Sequence, residues 1–64
     1  MANDKPNLPQ VRNPYYRAQD TMYEMREVLA RETPHDLELR TLLHNVQDAL
    51  YKFETELTKK YIWD

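Results

Sequence analysis

The side chains that could carry chemistry are few and badly spaced for it. The two histidines, His35 and His44, stand nine positions apart. That separation does not bring two imidazoles onto one helical face. A zinc protease helix needs His-Glu-x-x-His and a di-iron bundle needs repeated Glu-x-x-His, and neither string occurs. The chain has no cysteine, hence no thiolate nucleophile, thiolate metal ligand or disulfide. Serine is also absent, and the threonines read as helix caps or surface positions. The carboxylates are scattered, with no pair set in an apolar surrounding that would raise a pKa for acid–base work. With no glycine, a glycine-rich phosphate cradle is excluded and tight two-residue β-hairpins are disfavoured. The sequence therefore predicts no catalytic residue, no metal site, no cofactor and no small-molecule substrate. A non-enzymatic protein is expected.

What the chain does carry is aromatic surface. Five tyrosines and one tryptophan are many for 64 residues, and aromatic side chains are enriched at the energetic centres of interfaces. Tyr16, Arg17, Tyr23, Phe53, Leu57, Tyr61, Ile62 and Trp63 are the candidate contacts for a protein partner. Arg12, Tyr15, Tyr16 and Arg17 form a basic-aromatic cluster of the kind that stacks bases and touches phosphates. The plainer reading puts Tyr15 in a core stripe and leaves Arg12 and Arg17 solvated. A net charge of −2 also argues against nucleic acid as the partner.

These residues have to be positioned by very little structure. Residues 1–13 read as an extended arm, because Pro6 and Pro9 each lack an amide donor and push the preceding residue away from helix. Asn13-Pro14 then reads as an N-cap followed by the first helical position, opening a helix over 14–32. Within it Tyr15, Ala18, Met22, Met25 and Leu29 recur at steps of three and four on one face. Proline inside a continuous helix would remove a hydrogen bond and clash, at about 3 kcal/mol or more. Thr33-Pro34 therefore predicts a break, with Thr33 as the N-cap, Asp36 completing a capping box, and a second helix over 34–61. One long kinked helix is the alternative. In the second helix Leu39, Leu43, Val46, Leu50, Phe53 and Leu57 form a heptad seam, widened by Leu42 and Ala49. The fold class is all-α: a single helical-hairpin domain, antiparallel because its turn is so short.

The first helix spans about 26 Å and the second about 40 Å. The region beyond Phe53, with Leu57, Tyr61, Ile62 and Trp63, thus lies past the reach of the first helix. Either the arm covers it with Leu8 and Val11, or a second chain does. A four-helix dimer would also cover a face too wide for one neighbour. No stretch approaches the roughly 20 apolar residues of a membrane span. The N-terminal residues lack the apolar run of a signal peptide, which points to the cytoplasm.

The run Asn13-Pro14-Tyr15-Tyr16-Arg17-Ala18-Gln19-Asp20 followed by Met22-Tyr23-Glu24-Met25 stands in a glycine-poor chain of 64 residues. In that run, length and composition the whole hairpin resembles the small helical proteins encoded between the exonuclease and excisionase genes of lambdoid bacteriophages. The resemblance implies an early accessory protein acting on host or phage proteins in the host cytoplasm, and assigns no role to any single residue. A nucleic-acid-binding regulator and a structural or assembly component are the alternatives.

Overall fold

The computed structural model describes residues 4–64, which form a helical hairpin closed at its open end by the arm. A 3₁₀ turn, Pro9–Val11, leads directly into α1, Arg12–Glu32, and α2 runs over Leu37–Lys60. The start of α1 differs from the expectation of an Asn13 cap. Pro9 opens the 3₁₀ turn, the Arg12 amide bonds to its carbonyl, and Val11 precedes the helix without a side-chain cap. Pro14 is consequently the third helical residue, still within the first turn, where amides have no intrahelical acceptor.

The turn also corrects the capping expectation. Thr33 ends α1 rather than starting α2: its amide and its hydroxyl both donate to the Leu29 carbonyl, at 2.9 and 3.1 Å. The Asp36 amide donates back to the Thr33 carbonyl at 3.1 Å, closing a turn around Pro34-His35. Proline suits this place because its fixed φ matches the second position of a tight turn. Asp36 is the cap of α2, accepting from the Leu39 amide at 3.0 Å. At the other end Tyr61, expected inside the helix, is already extended at φ −140° and ψ 157°.

That extension lets residues after α2 meet the arm. Asn7 and Ile62 form a parallel bridge, with the Leu8 amide on the Ile62 carbonyl at 2.8 Å and the Ile62 amide on the Pro6 carbonyl at 2.9 Å. The Lys5 ammonium also donates to the Thr58 carbonyl at 2.9 Å, near the end of α2. Of the two covers expected for Trp63, the arm is the one in place. Trp63 is 5% exposed, Tyr15 4% and Leu57 7%, with Leu8, Val11 and Leu50 packed around them. The Tyr15 and Trp63 rings meet edge to face at 5.2 Å, an orientation that aims a positive ring edge at a negative face. The indole Nε1 donates to Thr58 Oγ1 at 3.0 Å, so its polar atom is satisfied.

The seam of α2 is rotated from the expected one. Leu43, Leu50 and Leu57 turn toward α1, but their partners along the contact line are Gln47 and Glu54, which are half-buried. Leu39, Val46 and Phe53 are exposed. On α1, Tyr15, Ala18, Met22 and Leu29 turn inward while Met25 is exposed. One physical cause is visible at the open end. Tyr15 donates its phenol to Glu54 Oε1 at 2.8 Å and accepts from Gln19 Nε2 at 3.1 Å, which draws the polar flank of α2 inward.

Candidate partner-binding surfaces

Two helices side by side make a plate. Its principal extents are 53 × 18 × 9 Å, and its radius of gyration is 15.3 Å. A compact chain of this length would have about 11 Å. The two broad faces of the plate differ in chemistry because the two edges of each helix differ in sequence.

One face, over the half of the hairpin nearest the turn, is an apolar groove of ≈ 560 Å³. Met25 and Val28 of α1 and Leu39, Leu42 and Val46 of α2 line it, with Leu29 and Leu43 between them. Among the described residues, Glu24 is its only charged lining residue. The opposite face holds a wider hollow of ≈ 960 Å³, bordered by Tyr23 and Tyr51 and carrying Arg26, Arg40 and His44. Tyr23 and Tyr51 are 57% and 66% exposed. The Arg26 guanidinium lies 5.8 Å from the Tyr23 ring centroid, close enough for a cation–π contact. Asp48, on the same face, is paired with Lys52 at 3.3 Å.

The residues singled out from sequence fall into three groups. Leu57 and Trp63 are buried in the closing cluster, which corrects their assignment as partner contacts. They hold the arm to the hairpin instead. Tyr16, Phe53, Tyr61 and Ile62 surround that cluster and remain exposed. The Tyr16 ring stacks obliquely on Trp63 at 6.0 Å, and Phe53 lies 6.4 Å from Tyr15. Arg17 is exposed, and Tyr23 belongs to the polar face, away from the rest. Sequence reasoning missed the apolar groove as a unit, as well as Arg26, Arg40 and Tyr51. The available signal was the sideways spread of Leu42 beyond the seam.

The basic-aromatic cluster is largely committed within the chain. Arg12 pairs with Asp64 at 3.0 Å and lies over the Tyr16 ring at 5.8 Å, while the Tyr16 hydroxyl reaches Asp64 at 3.5 Å. Tyr15 is buried. Burial first, and then its hydrogen bond to the Glu54 carboxylate, push the Tyr15 phenol from 10.0 up to about 12. His35 sits in the exposed turn and His44 on the polar face, so the two do not meet. Among the described residues no three His, Cys, Asp or Glu side chains gather as metal ligands would. Nor is any helix there long and apolar enough to cross a membrane. No family model, curated protein or solved structure matches this chain.

Proposed function

We propose that this chain is a non-enzymatic protein-interaction module, acting in the cytoplasm by presenting helical faces to a protein partner. One observation carries the reading. Among the described residues, twelve large hydrophobic side chains are exposed and three are buried. Exposed apolar side chains are ordinary when scattered; here several share one face of an open plate, the arrangement associated with docking surfaces. The polar face, with Tyr23, Tyr51, Arg26 and Arg40, has the aromatic and arginine content favoured in interface centres. Its residues are the ones we assign to the heterologous partner. The phage resemblance supplies the biological setting of this proposal: an early accessory protein acting on a host or phage protein.

The test is a photoreactive phenylalanine analogue in place of Tyr51, activated in cells expressing the protein. A discrete adduct with another protein is expected, suppressed by excess unmodified chain and not by its Tyr23→Glu variant. An adduct removed by nuclease would replace this reading with nucleic-acid binding. Absence of any competable adduct would overturn it.

A further inference from the structure

The unfinished part of the hairpin lies where the sequence did not place it. Among the described residues, the three buried side chains all belong to the open end, under the arm. Along the half nearest the turn, none of the described residues is buried. Yet that half carries Met25, Val28, Leu39, Leu42 and Val46 on a single face, each more than two-fifths exposed. On α2 the reason is a doubled pattern. Leu43, Leu50 and Leu57 form one seven-residue ladder, turned toward α1. Leu39, Val46 and Phe53 form a second ladder beside it, each residue left more than two-fifths exposed. A helix with two adjacent apolar ladders is built for two helical neighbours, and the hairpin supplies one.

We infer that the occupant of this face is a second copy of the chain, the two plates packing apolar face to apolar face as a four-helix bundle. The inference deepens the interaction-module reading, and rests on it only in treating the exposed faces as docking surfaces.

Area supports a partner of this size. The chain exposes 5363 Å². A compact monomer of its mass would expose about 4,400 Å². The excess, about 1,000 Å², is comparable with the roughly 800 Å² that each partner contributes to a standard interface. The five groove residues lie together along both helices, and exposed apolar patches of a few hundred Å² are often functional. They would form the centre of the interface, with Thr21 and Glu24 at its border.

The shape of the groove favours a copy over a lone foreign helix. Side chains from both helices line it, and a face as broad as a helix pair is covered across its whole width by another helix pair. Two-fold dimers, the commonest homo-oligomers, pair the same patch on both subunits. The near absence of charge within the groove also removes like-charge repulsion between identical faces. The Tyr23–Tyr51 face stays outward in this arrangement, displayed once by each subunit.

The intact chain is measured by sedimentation across a wide concentration range. Twice the 7.8 kDa chain mass is expected at the upper end, dissociating on dilution. The Leu42→Glu, Val46→Glu variant should weaken association by at least about 100-fold, because symmetry brings four unpaired carboxylates into one interface. Its helical circular dichroism should persist, since both positions are already half exposed in the hairpin. If that variant instead unfolds, the wild-type protein decides the matter. A mixture of isotope-labelled and unlabelled chains should give intermolecular nuclear Overhauser contacts among the Val28, Leu42 and Val46 methyls. A monomer at every concentration overturns the inference, as does a dimer whose contacts fall only on Leu8 and Ile62. Neither result depends on the Tyr51 adduct, so failure of the dimer and failure of heterologous binding are separately visible.

Discussion

Replacing Tyr15 with phenylalanine probes the one side chain that ties both helices and the closing cluster together. The ring would stay, and with it the contacts to Trp63 and Phe53. The phenol would go, leaving Glu54 without its 2.8 Å donor and Gln19 without its acceptor. A hydrogen bond to a charged group contributes about 1.5–3 kcal/mol, so the loss should be about 2 kcal/mol at neutral pH. Domains of this size lose about 4–8 °C in midpoint per kcal/mol, which predicts a fall of about 8–16 °C in thermal melts at equal protein concentration. Burial of the phenol first, and the same bond second, give a pH signature. The folded-state pKa of Tyr15 lies near 12 against 10.0 for the free phenol, so between those values the native chain holds a proton that the unfolded chain has released. Stability from this group is therefore complete below pH 10 and is lost as pH rises through about 12. At about pH 11 the loss is about 1.4 kcal/mol. The gap between wild type and Tyr15→Phe should narrow from about 2 to below about 1 kcal/mol over that rise. The other ionisable groups are common to both proteins and drop out of the difference. A gap that is absent at neutral pH, or that stays constant into the alkaline range, would refute the reasoning.

Two further outcomes test the ends of the hairpin. Asp36→Ala should lower stability by about 1 kcal/mol because it removes the α2 cap, whereas an α2 capped by Thr33 would leave that variant unaffected in chemical denaturation. Deleting residues 1–11 removes Leu8, Val11 and the bridge to Ile62, so Trp63 emission should shift to the red. Unchanged emission would mean that α1 and α2 alone shield the indole.

The sequence by itself determined the elements. Steps of three and four along Tyr15–Leu29 and Leu39–Leu57 specify two helices, and Pro34 separates them, because local periodicity and a missing amide act without regard to the rest of the chain. It also excluded cysteine and serine nucleophiles, since the chain has neither residue. The capping roles were less legible. Thr33 and Asp36 are both good cap residues, and the choice between them followed from how the Pro34-His35 turn closes. Most of all, tertiary structure decided which apolar residues are used. The heptad stripe on α2 is wider than one neighbouring helix can cover, so periodicity could not say which edge would meet α1. The Tyr15–Glu54 bond, the indole of Trp63 and the arm join residues as far as 56 positions apart, from Pro6 to Ile62. Together they bury the open end and draw the polar edge of α2 inward. That rotation leaves Met25, Val28, Leu39, Leu42 and Val46 on an open face, a result of long-range packing that no local pattern encodes.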